Sequence, residues 1–281
     1  MNRTIISLYI DIPKENLVSH HESKLKFNDN HAWLVDKQEE YADKIGVDFS
    51  HFEYEDGYEE YRDWFQKEYP EVSEYNIVNF FKIKLLYDMT ELYDEILYLD
   101  IDVIPVTNEN FFDVFDLNKG FAILTGTARS QRAWINPLTE AVVGRHGVRS
   151  PLAKYWNTKL MLSMEGHSRD SEVFNTGIIG ITSKQLKELD YFSEFRSLLD
   201  YMTEIQNNSE IPDNLRKLCG YDNETIWGYK TLLKNLSYQE LGEYWHVFMD
   251  NHSFVPEKAK LVHCVNKDFD YVRNWCEKNN I

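Results

Sequence analysis

The sequence predicts an α/β protein whose mostly parallel central sheet is flanked by helices. Short apolar runs rich in β-branched residues alternate with segments of helical periodicity along most of the 281 residues. One run, residues 95–103, is almost continuously apolar, which is typical of a central strand covered on both faces. Alternation of strands and helices in this way favours a sheet with helices on both sides.

The predicted strands are short apolar runs that end at turn-forming residues. The first run ends where Asp11 and Pro13 indicate a turn, and the last lies close to the end of the chain. The predicted strands are 4–10, 47–54, 95–103, 120–125, 173–182 and 260–265.

The predicted helices have apolar residues at helical spacing. In the first of them, Trp33, Leu34 and Tyr41 share one face, and Gly46 stands where a C-cap is expected. Pro70 is expected to end the second. Because no repeat and no linker rich in Pro, Gly or Ser interrupts the pattern, we expect a single domain over 1–281. The predicted helices are 31–46, 58–69, 74–92, 151–166, 184–205, 223–233 and 268–278.

Charge and composition exclude several classes of function. Asp and Glu number 47 against 30 Lys and Arg, and the net charge of −17 argues against a nucleic-acid binder and against an anionic membrane surface. The 3 cysteines are widely spaced and form neither a disulfide framework nor a CxxC metal site. The sequence shows no signal peptide and no run near the roughly 20 apolar residues that span a bilayer. We therefore expect a cytoplasmic protein without a membrane span.

The motif most indicative of chemistry is Tyr-Leu-Asp-Ile-Asp at residues 98–102, near the end of the predicted central strand. Asp100 and Asp102 are two residues apart, so their side chains point to the same side of an extended chain. Burial of two like charges is costly, and a divalent cation between them removes that cost. Open α/β sheets bind ligands at the carboxyl ends of their strands. The alternative is a pair of solvated turn residues or ion-pair partners.

Polar residues elsewhere in the chain are weaker indications. His263 lies in a short predicted strand, where a histidine is more often packed than a ligand, but two Asp and one His would suit Mn²⁺. Asn175 and Gly177 interrupt the start of a β-branched run, as at a simple turn or at a strand edge that a ligand approaches. Residues 222–224 form a polar cluster that can cap the following helix.

Taken in order, these segments resemble the glycogenin and lipopolysaccharide galactosyltransferase group of retaining nucleotide-sugar glycosyltransferases. That family has a basic residue before Asp-x-Asp, an Asn-x-Gly strand start, an acidic-amide-acidic helix start, and a late His followed by Lys. This chain has Lys82 before the aspartates, then each later segment in that order as far as Lys267. The resemblance implies a single GT-A-type, Rossmann-like glycosyltransferase domain with a donor-nucleotide half near 1–125 and an acceptor and donor-sugar half near 126–281.

The resemblance also implies roles for individual residues. The cofactor is expected to be Mn²⁺ or Mg²⁺, and the donor a UDP-sugar. The residues expected to hold the metal are Asp100, Asp102 and His263. The residues expected to bind the donor are Ile6, Tyr9, Asp11, Lys82, Asp100, Ile101, Asp102, Gly177 and Lys267. The residues expected at the reacting sugar are Asn175, Asp222, Asn223 and Glu224.

The acceptor is expected to be a carbohydrate or glycoconjugate. The segment 126–166 has a local excess of arginine, which suits either an acidic acceptor sugar or ion pairs with surface carboxylates. An inverting reaction at the same metal site and a homo-oligomeric state both remain open. So do two other functions, a sugar-nucleotide nucleotidyltransferase and a non-catalytic metal-dependent carbohydrate-binding protein. The first should have a Gly-rich basic loop after the first strand, which this sequence lacks, and the second gives Lys82 and Lys267 no role.

Overall fold

A computed structural model describes residues 1–13, 21–55, 57–125, 157–167, 172–216, 220–249 and 254–281. Within these ranges strands and helices alternate, and residues 157–164 are helical as well. The strands are β1 (Arg3–Leu8), β2 (Asp48–Phe52), β3 (Glu95–Asp100), β4 (Val103–Pro105), β5 (Phe121–Thr125), β6 (Phe174–Thr182), β7 (Tyr238–Glu240), β8 (Val247–Phe248) and β9 (Leu261–His263). The helices are α1 (His21–Ile45), α2 (Tyr58–Glu68), α3 (Glu74–Met89), α4 (Phe111–Val114), α5 (Ser183–Leu189), α6 (Phe195–Asn207), α7 (Asp213–Arg216), α8 (Asn223–Leu233), α9 (Gly242–Trp245) and α10 (Phe269–Asn279).

The main sheet contains six strands in the order β2-β1-β3-β6-β5-β7. Strand β1 pairs in parallel with β2 and β3, and β5 pairs in parallel with β7. Strand β6 is antiparallel to both of its neighbours, so of the strands described in this sheet it runs against the other five. The predicted fold class, α/β with a mostly parallel central sheet flanked by helices, is confirmed.

Strand β3 lies at the centre of the sheet because both of its faces are apolar. Ile96 and Tyr98 pack in one core cluster together with Phe80 of α3. Leu97 and Leu99, which point the other way, pack in a second cluster that includes residues of α1. Burial on both faces explains the nearly continuous apolar run in the sequence. Strand β3 is buried as far as Leu99, so the Asp-x-Asp motif begins directly beside the core.

The prediction of one continuous strand over 95–103 is wrong. Strand β3 ends at Asp100, residues 101 and 102 form a turn, and β4 belongs to a separate three-stranded sheet of order β4-β9-β8. Ile101 and Ile104 pack in a third apolar cluster, with Val262 of β9. The sequence does not show this break because two short buried strands and one long one have the same apolar pattern.

Other predicted boundaries also need correction. A single helix over 184–205 is wrong, because α5 and α6 are separated by a turn in which Asp190 and Glu194 have positive φ angles of 49° and 55°. The helix predicted at 31–46 begins earlier, at His21. Of the helix predicted over 151–166, residues 151–156 lie outside the described ranges. None of the helices in those ranges combines the length and apolar character that crossing a membrane requires.

Candidate functional site

Two carboxylates and one imidazole converge where the two sheets meet. The Nε2 atom of His263 lies 3.5 Å from Oδ2 of Asp102 and 4.0 Å from Oδ2 of Asp100. Antiparallel pairing of β4 with β9 sets Val103 opposite His263, and the amide of Cys264 donates to the carbonyl of Asp102 at 2.8 Å. The turn after β3 therefore places both aspartates beside a histidine that is distant in the sequence. The structure brings the three predicted metal ligands together.

Each aspartate of this group is paired with a lysine. The Nζ atom of Lys82 lies 3.2 Å from Oδ1 of Asp100, which also accepts a hydrogen bond from the Tyr98 hydroxyl at 2.8 Å. Lys267 forms an ion pair with Oδ2 of Asp102. Each pair has one buried member, Lys82 in the first and Asp102 in the second. The buried charge is in each case balanced by its partner.

The surroundings hold the Asp102 carboxylate in its ionised form. Burial by itself would raise its pKa, but attraction to Lys267 and then to His263 outweighs burial and places the pKa well below the ordinary value. Burial would likewise lower the pKa of the Lys267 ammonium, and attraction to Asp102 raises it above the ordinary value. Burial, followed by the charge of Asp100, raises the pKa of the Tyr98 hydroxyl well above its ordinary value, so this group stays a hydrogen-bond donor.

The ring of His263 is held between a glycine and a second histidine. A Cβ atom on Gly177 would lie 2.3 Å from Cε1 of His263 and 2.7 Å from its Nδ1 atom, so the ring occupies the space that any larger residue there would fill. The Nε2 atom of His246, which is wholly buried, lies 2.9 Å from Nδ1 of His263. This contact fixes the ring with Nε2 towards the carboxylates, as a supporting group does for a metal-ligating histidine.

The group fits a divalent cation. One donor atom from each of Asp100, Asp102 and His263 lies within 4.8 Å of the other two. Carboxylate oxygens with one imidazole suit Mn²⁺, and Mg²⁺ also prefers carboxylate oxygens. The space left by Gly177 is what allows the imidazole to approach, so the local backbone fits the metal that the sequence resemblance implies.

Thr176 connects three of the predicted motifs. Its carbonyl accepts from Nζ of Lys82 at 3.2 Å, and its hydroxyl accepts from Nδ2 of Asn223 at 2.9 Å. Its amide donates to Oε1 of Glu224 at 2.9 Å. The start of α8 is therefore tied to β6 beside Gly177. As expected, Asp222 caps α8, since its Oδ1 atom accepts from the amide of Glu224 at 2.7 Å.

Two of the residues predicted to bind the donor, Tyr9 and Asp11, lie just after the carboxyl end of β1. Tyr9 and Asp11 line a cavity of about 340 Å³, and the hydroxyl of Tyr9 donates to Oδ1 of Asn28 at 2.7 Å. Burial, followed by the charge of Asp11, raises the pKa of Tyr9 above its ordinary value. Ile6 and Ile101 are buried among apolar residues. Their predicted contacts with the donor stay predictions.

Sequence reasoning missed three residues of this site. Tyr98 belongs to the motif that was recognised, and its place directly before the aspartates was an available signal. Thr176 stands between Asn175 and Gly177 and could have been grouped with them. Nothing in the sequence relates His246 to His263, because only the three-dimensional structure brings the two rings together. The arginine-rich part of 126–156 lies outside the described residues.

A family model described as glycosyl transferase family 8 matches residues 11–267. The chain belongs to this family. The family resemblance and the enzyme class predicted from the motifs are therefore confirmed, and the protein is a glycosyltransferase. The match begins just after β1 and ends at Lys267, so it includes the whole cluster of carboxylates, histidine and lysines.

Three solved structures of glycosyltransferases are similar to this family 8 chain. One, a glycosyltransferase involved in the glycosylation of the major capsid of PBCV-1, is 15% identical with a TM-score of 0.47, and the alignment covers 97% of this chain and 100% of that one. The galactosyltransferase LgtC, solved with donor and acceptor sugar analogues, is 12% identical with a TM-score of 0.47 over 93% of this chain and 87% of its own. Mouse xyloside xylosyltransferase 1 in its apo form is 9% identical with a TM-score of 0.46 over 94% and 97%. No curated protein matches the chain.

Proposed function

We propose that this glycosyltransferase moves a sugar from a UDP-sugar to a carbohydrate or glycoconjugate acceptor, with retention of configuration. In this proposal Mn²⁺ or Mg²⁺ is held by Asp100, Asp102 and His263. The observation that carries the proposal is the convergence of these three side chains beside two lysines, in a chain that belongs to glycosyl transferase family 8.

The charges at the site support a diphosphate ligand despite the acidity of the whole chain. The charges of Lys82 and Asp100 cancel, and so do those of Lys267 and Asp102. A bound divalent cation adds two positive charges and supplies Lewis-acid stabilisation of the leaving diphosphate. The site as a whole then attracts an anion, even though the net charge of the protein is −17.

The two lysines are proposed to act on the leaving group. Lys267 pairs with the same carboxylate that is proposed to hold the cation, so its ammonium lies close to where the diphosphate would bind. Lys82 is fixed by Asp100 and by the Thr176 carbonyl. Positive groups that are already in place stabilise the charge that develops as the bond to the anomeric carbon breaks, without reorganisation during the reaction.

The donor sugar is proposed to lie against Asn175, Asp222, Asn223 and Glu224. Thr176 supports this, because it ties the start of α8 to the strand that carries Asn175 and Gly177. Retention is proposed from the family resemblance. The carboxylates of Asp222 and Glu224 are the candidates for a nucleophile, by analogy with retaining glycoside hydrolases. The nucleoside is proposed to bind in the cavity that Tyr9 and Asp11 line.

The direct test is release of UDP from a panel of UDP-sugars by the purified chain with Mn²⁺, with GDP-sugars in parallel. We expect at least one UDP-sugar to be hydrolysed or transferred, loss of the reaction in EDTA, and recovery when Mn²⁺ is restored. NMR of the product then gives the anomeric configuration. Absence of both nucleotide release and metal-dependent UDP binding across the panel would contradict the proposal.

A further inference from the structure

A second group of metal-ligating side chains lies at the carboxyl ends of β1 and β2. His31 comes from α1, His51 from β2 and Glu53 from the residues just after β2. The Nε2 atoms of the two histidines are 3.1 Å apart. The Oε1 atom of Glu53 lies 3.3 Å from Nε2 of His31 and 3.7 Å from Nε2 of His51.

These distances match the edges of a tetrahedral metal site. With metal–nitrogen bonds of about 2.0–2.1 Å, tetrahedral geometry separates neighbouring ligand atoms by about 3.3–3.4 Å. The distances of 3.1, 3.3 and 3.7 Å lie close to that separation on all three edges. Two imidazoles with one carboxylate form a donor set that suits Zn²⁺ and related transition metals more than Mg²⁺.

The histidines are held in the orientation that metal binding needs. The hydroxyl oxygen of Ser7, a buried residue paired with His51 in the sheet, lies 2.7 Å from Nδ1 of His51. A proton on Nδ1 that is donated to this oxygen leaves the lone pair of Nε2 directed at His31 and Glu53. The ring of Tyr9 packs against that of His31 with centroids 5.0 Å apart, which restrains the second imidazole.

A fourth coordination position has room beside these ligands. His31 and Glu53 both line the cavity of about 340 Å³ described above, together with Tyr9 and Asp11. Sites with three protein ligands and one open position bind water or an exogenous ligand at the fourth. We propose that His31, His51 and Glu53 bind a transition-metal ion of the Zn²⁺ class, with its fourth position facing this cavity.

The proposal concerns residues other than the Asp100, Asp102 and His263 group, and it does not depend on the transferase reaction. The competing explanation is that a proton, shared by the two imidazoles and balanced by Glu53, holds the three groups together. A Zn²⁺ titration distinguishes the two explanations. A metal site binds Zn²⁺ in a fixed ratio, whereas a group held together by a proton need not bind it at all. The probe is therefore the metal alone, without nucleotide.

The experiment titrates Zn²⁺ and Co²⁺ into metal-free protein that carries Asp102→Asn, which weakens the central site. Calorimetry gives stoichiometry and affinity, and the visible absorption of Co²⁺ reports tetrahedral coordination. We expect the protein to bind one equivalent of Zn²⁺ tightly. The control is Glu55→Gln, which replaces an exposed carboxylate that lines the same cavity and should leave Zn²⁺ binding unchanged. We expect affinity to fall at least about 100-fold with His51→Gln and about 10–100-fold with Ser7→Ala, which removes a supporting contact only.

Thermal unfolding checks that each variant is folded. If His51→Gln does not fold, Glu53→Gln serves in its place, because that side chain is half exposed and its replacement disturbs no core packing. The proposal is overturned if the folded ligand variants bind Zn²⁺ as tightly as Glu55→Gln does. It is overturned equally if the folded Asp102→Asn protein, with the edge group intact, binds no Zn²⁺ at micromolar concentration.

Discussion

The two candidate metal-binding groups of this protein use similar residues in different environments. In the central group, the side chains of Asp100, Asp102 and His263 are 27, 5 and 7% exposed, and two of them are almost fully enclosed. In the edge group, the side chains of His31 and Glu53 are 25 and 51% exposed. The central group is rich in oxygen and flanked by lysines, whereas the edge group is rich in nitrogen.

The difference in burial and in neighbouring charge determines which kind of cation each group suits. Carboxylates that already neutralise lysines suit a hard cation, and the proposed function places a diphosphate beside it. The imidazoles of His31 and His51, 25 and 11% exposed beside a cavity, instead suit a softer ion with an open coordination position. We therefore expect the two groups to respond to different metals and to fail independently of each other when single residues are changed.

The largest expected effect is that of Asp102→Asn on the central group. This change removes a proposed metal ligand and leaves Lys267 without its buried partner. We expect the metal-dependent rate of UDP release to fall about 100–1,000-fold, while Zn²⁺ binding at the edge group is retained. The rate measurement uses Asp43→Asn, an exposed carboxylate on α1, as its control. An equal loss of UDP release and of Zn²⁺ binding would contradict this expectation and show that the two groups are coupled.

A smaller effect is expected from Gly177→Ala, which can be matched with Gly180→Ala on the same strand. The first Cβ would lie 2.3 Å from His263, and the second 2.5 Å from the ring of Phe111 in the core. Overpacking should lower the free energy of unfolding by about 1–3 kcal/mol in both variants. Only the first should also weaken Mn²⁺ binding, by about 10–100-fold, because it displaces a ligand.

Urea unfolding and calorimetry with Mn²⁺ measure the two quantities separately. Weaker Mn²⁺ binding in both glycine variants would mean that general destabilisation, rather than displacement of His263, causes the loss. Unchanged binding in Gly177→Ala would remove the histidine from the set of ligands.

The smallest expected effect is on acid stability. The pKa of Asp102 is well below its ordinary value because Lys267 and His263 attract the ionised form. A carboxylate with a lowered folded pKa stabilises the fold fully above its unfolded pKa of about 3.9, and this contribution is lost as the pH falls further. In EDTA, the unfolding free energy of the unsubstituted protein should therefore fall more steeply from pH 5 to pH 3 than that of Asp102→Asn. Parallel pH profiles in urea unfolding would contradict the assigned ion pair.

Much of the fold could be predicted from periodicity alone. Strand β6 and helix α10 lie where the apolar patterns place them, because a buried strand and an amphipathic helix each leave a local signature. The break after Asp100 could not be predicted, since β3 before it and β4 after it are both short, buried and apolar, although they belong to different sheets. The helix break at 190–194 was missed for a similar reason, because helical apolar spacing continues across it.

The candidate site was predictable to the extent that its residue types are unusual where they stand. Two aspartates in an apolar run, and a late histidine followed by lysine, are enough to indicate the central group from the sequence. The edge group carried no such signal. His31 and His51 lie in a helix and a strand that are separately ordinary, and only the pairing of β2 with β1 and the packing of α1 bring them together.

The sequence by itself determined the alternation of elements, the acidic balance, and the aspartates, histidine and lysines of the central motif. The tertiary structure decided which of them meet. Pairing of β4 with β9 places His263 beside Asp102, and the bare backbone of Gly177 leaves room for its ring. The physical reason is that periodicity records local burial, whereas a binding site depends on register between strands distant along the chain, which no local pattern encodes.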